Sequence, residues 1–501
     1  MFAYVSNVSS GLAMFAVLAV GSAGGGEKLA ECSELRHLEA RWREAMTKMY
    51  APSIAIAVVK GDQVLVCDAI GQRTADLDQF ADADTMYYIA SSTKTYVATA
   101  LAALQAQGKV NLESPVKTYL PRFQLADAQA ATTIIVSDLL CHKPGLSDWA
   151  IVFNDAYTGL ITDDIYYRRL ATCSPNATPQ YSNVNFTLAG RVLESVSGKS
   201  WKLALDDVLF KPAGLTRTTG DADKMYADNN VALPLVWRSG GFVEAPRKSS
   251  RSMHAAGGLG TTARDAARYL LLSMNGGKLD GKQVVPEAAI RQALTPRQTM
   301  PPDGQIRRFD SFGLGWRLGT YRDRPYAAHQ GGYVGASSHI SFLTEEKIGV
   351  AILVNSDGPA GAGGLIDVIS IDIFDALLGL QNPDLLPKYL ERAATYPPQL
   401  AQMLAQQKAL DARDVSIELA SCAGAFSHPD FGTLRLSVVG ERLHFELGDL
   451  RGEVLAAASK DTIAISQDVR QSYEGKLEIE GGKVRAVTFD FPSGETRFAA
   501  K

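Results

Sequence analysis

Apolar positions along this chain follow three rhythms. From Pro52, "PSIAIAVVKGDQVLVCDAIG" is a nearly continuous apolar run interrupted at Gly61-Asp62, which reads as two strands joined by a turn. A second run of this kind, "HISFLTEEKIGVAILVN" from His339, has a charged turn. Between them the spacing lengthens to a helical period. It predicts a helix from about Ser91 to Gln107 and further helices in "NFTLAGRVLESVSGKSW" and "TTARDAARYLLLSMNGG". Strands at both ends with helices between them predict one α+β domain over residues 33–382, in which distant strands share an antiparallel sheet flanked by helices.

After Leu380 the texture changes twice. Residues 383–415, "PDLLPKYLERAATYPPQLAQMLAQQKALDARDV", are helical and punctuated by proline, and read as a connector. Residues 416–501 carry short alternating runs, "GTLRLSVVG", "RLHFELG" and "GKLEIEGGKVRAVTFDF", separated by Gly and Asp. That period of two predicts a small, separate all-β domain.

Composition narrows the function classes. With 46% hydrophobic and 21% charged residues among 501, the chain is globular and long enough for a large domain plus a smaller one. A net charge of −4 gives no basic footprint, so no nucleic-acid partner is expected. The apolar stretch "GLAMFAVLAVGSAGGG" is too short to span a bilayer but suits the core of a secretory signal, with small residues near Ala23 for cleavage. Residues 1–25 are therefore read as a signal peptide and the protein as periplasmic or secreted. Any membrane contact would be confined to that segment if it were retained. No Lys or Arg precedes the run, and a start that is disordered or wrongly assigned is the alternative.

The five cysteines show no CxxC spacing and read as ordinary thiols, although Cys141 and Cys173 could pair in an oxidising compartment. The seven histidines form no HExxH or similar set, so neither metal nor cofactor is implied.

Candidate chemistry begins at the head of the apolar helix, in "IASSTKTYVATALAALQAQGKV" from Ile89. Residues three apart share a helix face, so Lys94 would project beside Ser91, and the helix N-terminus favours an anion there. A serine hydroxyl needs a base before it becomes a useful nucleophile, and a lysine serves if burial lowers its pKa. The pattern alone is cheap. It recurs in "SPVK" at Ser114–Lys117, where no long apolar helix follows.

Two further stretches add to it. "PQYSNVNF" places Tyr181 and Asn183 two apart in a loop, suited to relaying a proton and to holding Lys94 or a substrate carbonyl. "AAHQGGYVGASSHISF" places His329, Gln330, Gly331 and Gly332 just before an apolar strand, where glycines allow close backbone approach. The Gly332 N–H could then join that of Ser91 as an oxyanion hole.

"SSTK", "YSN" and "HQG", in this order and at these separations, resemble the penicillin-binding-protein-like serine hydrolases. That superfamily includes class C β-lactamases, DD-peptidases, D-aminopeptidases and related esterases. "LLCHKPGL", "FKPAGLTRT", "AAGGLGTTARD" and "FGLGW" are similar to the same family, and the likeness covers roughly Glu34 to Leu380. It implies an antiparallel sheet with flanking helices and an all-helical subdomain. It also implies Ser91 as nucleophile, Lys94 and Tyr181 as the proton-transfer pair, and Asn183, His329, Gly331 and Gly332 as substrate-positioning groups. The C-terminal domain is similar to the lipocalin-like β-barrels that follow some of these hydrolases.

One position departs from the pattern. β-Lactamases and transpeptidases of this superfamily carry a lysine where this chain has His329. A mostly neutral imidazole attracts a carboxylate less strongly, which favours ester, amide or D-amino-acid peptide substrates over β-lactams. The expected activity is thus acyl transfer to water through an acyl-enzyme, on a small molecule or peptide. A β-lactamase or DD-carboxypeptidase is the alternative within the class, and a ligand-binding protein with little turnover is the alternative outside it.

Overall fold

The computed structural model describes residues 32–501 except 77, 239, 362, 412 and 469. The signal-peptide reading of residues 1–25 falls outside them. The first predicted hairpin is β1 (Ser53–Lys60) and β2 (Gln63–Gly71), and its turn falls at Gly61, whose φ is +60°. Six later strands complete the sheet: β3 (Gln298–Asp303), β4 (Arg307–Phe312), β5 (Arg317–Tyr321), β6 (Arg324–Tyr333), β7 (Ala336–Leu343) and β8 (Ile348–Val354). Their order is β2-β1-β8-β7-β6-β5-β4-β3, with β1 antiparallel to β8 through pairs such as Ile56 with Ile352. Strands almost 300 residues apart therefore meet at the centre, as the two distant apolar runs predict.

The unbroken apolar run in β1 has a packing cause. Ile54, Ile56 and Val58 turn to one face, against Trp42 of α1 (Glu39–Lys48) and Ile369 and Phe374 of α6 (Leu365–Leu378). Ala55, Ala57 and Val59 turn to the other, toward Val97 of α2 (Thr93–Ala106) and Leu270 of α5 (Ala263–Met274). With both faces covered, the strand loses the polar alternation of a half-solvated sheet. α2 is a core helix in the same sense, since every side chain from Thr93 to Leu104 is buried. α6 keeps three aspartates in its apolar sequence because each meets an arginine: Asp367 with Arg307 at 2.5 Å, Asp372 with Arg41 at 3.1 Å, and Asp375 with Arg322 at 2.8 Å.

Between α2 and the later strands lies the expected helical subdomain, which includes α3 (Trp149–Phe153) and α4 (Asn183–Ser197). Cys141 and Cys173 do not pair within it. Both are free thiols, and they donate to different carbonyls, Asp138 for the first and Ser147 and Arg169 for the second.

The connector forms two helices, α7 (Leu386–Ala394) and α8 (Tyr396–Gln406), and α7 docks Leu386 and Ala393 into the α1–α6 layer. Nine strands follow: β9 (Gly424–His428), β10 (Gly432–Val439), β11 (Arg442–Leu447), β12 (Leu450–Glu453), β13 (Leu455–Ala456), β14 (Thr462–Ser466), β15 (Ser472–Glu480), β16 (Lys483–Phe491) and β17 (Gly494–Ala500). Their order is β12-β11-β10-β9-β17-β16-β15-β14-β13. The two edge strands are separated in sequence only by Val454, so the sheet curls until its edges adjoin, as a nearly closed up-and-down barrel.

Its inward positions, among them Leu434, Phe445, Leu477, Phe489 and Phe498, fill the interior. The barrel packs against the helical subdomain through α3. Phe153 of α3 is buried in the barrel core, and Trp149 packs on Phe491 and Tyr473 at ring separations of 4.8 and 5.3 Å. Alternation reveals which strand faces turn inward, but not what seals the end of a barrel.

Candidate active site

Ser91 lies in a single 3₁₀ turn, Ala90–Ser92, that leads directly into α2. Ala90 immediately before it has φ +44°, a left-handed conformation that costs a residue with a Cβ about 1 kcal/mol or more. Tertiary contacts hold this bend. Ser338 on β7 donates to the Ile89 carbonyl at 2.6 Å and lies 2.8 Å from Ser92 Oγ, while the Leu259 N–H donates to Thr93 Oγ1 at 3.0 Å.

Lys94 is fully buried one turn later. Its Nζ lies 3.1 Å from Ser91 Oγ, 2.8 Å from Asn183 Oδ1 and 2.5 Å from the Ala256 carbonyl. Desolvation pushes its pKa well below the usual lysine range. A neutral amine has two hydrogens and one lone pair. Asn183 Oδ1 and the Ala256 carbonyl can only accept, so they take the two hydrogens. The lone pair then faces Ser91, the one neighbour of the three with a proton to give.

The Tyr181–Asn183 loop is aimed by the residue between its two functional side chains. Ser182 caps α4 by accepting from the Asn185 N–H at 3.1 Å, donates its hydroxyl to the Leu146 carbonyl, and gives its own N–H to His142 Nδ1 at 3.1 Å. With Ser182 turned inward, both neighbours face the cleft. Tyr181 as a whole residue is 43% exposed, and Lys94 Nζ lies 4.8 Å from its ring centroid. Its hydroxyl is crowded, which raises its pKa, and a hydrogen bond with the Ser91 side chain opposes that shift. Tyr181 is therefore a neutral phenol able to donate. His142 supports the ring from behind at 4.5 Å.

β6 delivers the third stretch. β5 pairs with it only as far as Ala328, so from His329 onward one backbone edge has no partner strand and lies against the Ser91 turn. Gly331 is required at the contact, because a Cβ there would fall 2.1 Å from the Ile89 carbonyl and 3.0 Å from the Ser91 nitrogen. Gly332 next to it faces open space.

His329 is 3% exposed, and its Nδ1 lies 2.8 Å from the Gln330 carbonyl. That carbonyl only accepts, so Nδ1 carries the hydrogen and Nε2 presents a lone pair, which no other group meets. Burial, reinforced by Lys94, lowers its pKa to about 3. The imidazole is neutral and an acceptor.

The structure thus gathers Ser91, Lys94, Tyr181, Asn183, His329, Gly331 and Gly332 around one cleft. It adds three groups that sequence reasoning did not assign: the Ala256 carbonyl, His142 and Ser338. The first two lie in "AAGGLGTTARD" and "LLCHKPGL", which were singled out only for their likeness to the family. Among the described residues no cluster suited to a metal occurs and no helix is long and apolar enough to cross a membrane.

The chain belongs to the Beta-lactamase family, whose profile matches residues 38–369. It is 26% identical over 358 residues to Penicillin-binding protein 4 of Amycolatopsis lactamdurans, covering 68% of this chain and 89% of that protein. Among solved structures it is similar to the octameric penicillin-binding protein homologue from Pyrococcus abyssi, with a TM-score of 0.61 and 20% identity over 92% of this chain and 99% of that one. It is also similar to the class C β-lactamase from Rhodobacter sphaeroides, with a TM-score of 0.53 and 18% identity over 68% and 98% of the two chains. These likenesses establish the α+β fold, and the Pyrococcus structure extends over most of the C-terminal part.

Proposed function

We propose that the protein is an exported serine acyl hydrolase acting on esters or amides through an acyl-enzyme. The observation that carries this reading is the pairing of Lys94 with two acceptor-only oxygens, which leaves its lone pair for the Ser91 proton. As Ser91 Oγ attacks the carbonyl carbon, Lys94 takes that proton, and the oxyanion is received by the N–H groups of Ser91 and Gly332. The proton then passes through the Tyr181 phenol to the leaving group as its bond to the carbonyl carbon breaks. Water later cleaves the Ser91 ester, with the same pair moving its proton.

His329 selects among substrates. A neutral acceptor stands where a cation would draw in a carboxylate, so the site suits neutral substrates or those with a donor group, such as short acyl esters and D-amino-acid amides. No cofactor takes part in these steps. The test is a panel of a chromogenic ester, a D-amino-acid amide and a cephalosporin on the same purified protein, alongside Ser91→Ala. Turnover of ester or amide that is lost in the variant supports the reading. A burst of product without steady turnover would make the protein an acylating binder instead.

A further inference from the structure

The cleft has a second half that the hydrolytic steps leave unused. Side chains at 329, 331 and 333 share one face of β6, and Gly331 on that face abuts Ser91, so His329 and Tyr333 flank the nucleophile on opposite sides. Tyr181 lies on the His329 side, with the two rings 6.1 Å apart. Because Tyr181 hands its proton to the leaving group, the leaving group lies on that side and the acyl substituent points toward Tyr333.

That side is an aromatic wall. Tyr157 packs on Tyr333 at 5.4 Å, both half-buried, and Tyr88 meets Tyr333 edge-on at 5.6 Å. Lys248 backs the wall with its Nζ 3.9 Å from the Tyr333 centroid, and it donates to the Ala156 carbonyl.

The two segments that carry Tyr157 and Lys248 are tied together by one residue of the barrel. Asp449 lies between β11 and β12, and its N–H donates to the Thr158 carbonyl at 2.8 Å. Its carboxylate accepts from the Ser249 hydroxyl and from the Arg251 guanidinium, and a Cβ on Gly159 would come within 2.8 Å of it. Asp449 is thus clamped between residues 158–159 and residues 249–251, although it does not reach the cleft itself.

We propose that Asp449 is a positioning residue. Through it the barrel holds the Tyr157–Tyr333 wall as a subsite for planar, apolar acyl substituents. The inference rests on the acyl-hydrolase reading and assigns the acyl half of that same site. Planarity follows from the lining, since two half-buried phenol rings offer faces and edges for stacking while the Lys248 amine is already engaged by Tyr333 and Ala156.

The experiment compares 4-nitrophenyl acetate with 4-nitrophenyl benzoate, which share a leaving group and differ only in the acyl substituent. Asp449→Ala retains the backbone bond to Thr158 and loses the carboxylate. It should raise KM for the benzoate about tenfold with kcat nearly unchanged, while kcat/KM for the acetate moves less than twofold. Asp449→Asn keeps an acceptor for Ser249 and should fall between wild type and Ala. It also serves as the test if the alanine variant does not fold. Equal losses on both esters would reduce Asp449 to a general structural contact, and no change on either would remove it from the wall, so both outcomes overturn the proposal. Failure of the underlying reading is distinguishable, because Ser91→Ala would then hydrolyse the acetate as fast as wild type.

Discussion

Lys94 Nζ and Asn183 Oδ1 lie 2.8 Å apart, joining the second residue of α2 to the first of α4. The contact orients the amine without charging it. An aspartate at position 183 would instead supply a counter-ion and favour the ammonium form. Asn183→Asp should therefore raise the Lys94 pKa and shift the alkaline rise of acylation rate to higher pH. Asn183→Ala should leave Lys94 uncharged but misplaced. Rates of labelling by a fluorophosphonate probe across pH 6–10 check both.

Because Lys94 and Tyr181 both meet Ser91, their removal should not be multiplicative. Lys94→Ala and Tyr181→Phe should each slow acylation by roughly a hundredfold or more, and the double variant should be little worse than the slower single one. Ser91→Ala should abolish labelling. Ser92→Ala should retain it, at a cost of about 1 kcal/mol of stability from the lost bond to Ser338, which thermal unfolding would register.

Adjacent glycines should respond oppositely. Gly331→Ala must displace either the Ile89 carbonyl or the β6 edge, since 2.1 Å is far inside contact distance, and kcat should fall with the loss of oxyanion alignment. Gly332→Ala adds a methyl where nothing lies within 4 Å, and neither residue has a positive φ, so stability should be nearly unchanged. Its effect should appear in KM for bulky substrates. Steady-state kinetics on a small and a large ester separate the two.

These contacts mark the limit of what the sequence could disclose. The β1–β2 hairpin and α2 were legible because local periodicity specifies them, and Ser91, Lys94, Tyr181 and His329 because side-chain chemistry leaves a signature. Ala256 acts through its backbone carbonyl, which has none. His142 acts through a ring nitrogen on the N–H of Ser182, a partner 40 positions away that no local pattern encodes. Strands β3 to β5 escaped notice because "RRFDSF" and "RLGTY" alternate weakly at the sheet's less buried end. The Trp149–Phe153 insertion into the barrel joins two textures that each look self-sufficient in sequence.

Lys248 should leave a mark on stability against pH. Burial holds its pKa at about 7, against an unfolded value near 10.5. Between those values the unfolded chain binds more protons than the folded one, so stability should rise with pH across that window, by up to ~1.4 kcal/mol per unit. Below about 7 both forms are protonated and this contribution is flat. Lys248→Met should lower that slope by up to ~1.4 kcal/mol per unit between pH 7 and 10 and leave the share due to Lys94, whose pKa burial also depresses, as chemical denaturation at a series of pH values would reveal. A slope undiminished in the variant would remove Lys248 from this role.

The proposed substrate class turns on His329. Its neutral imidazole offers a lone pair at Nε2, and a lysine there would offer a cation instead. His329→Lys should shift relative kcat/KM toward a carboxylated β-lactam and away from a neutral ester by about fivefold, ~1 kcal/mol, roughly what a partly solvated charge pair supplies. The new ammonium would also raise the cost of charging nearby Lys94, so the base should remain neutral and the chemical step should survive. Measuring both substrates with wild type and variant checks the direction. Wild-type cephalosporin hydrolysis faster than that of any ester would overturn the assignment of His329 while leaving the acyl-enzyme route through Ser91 in place.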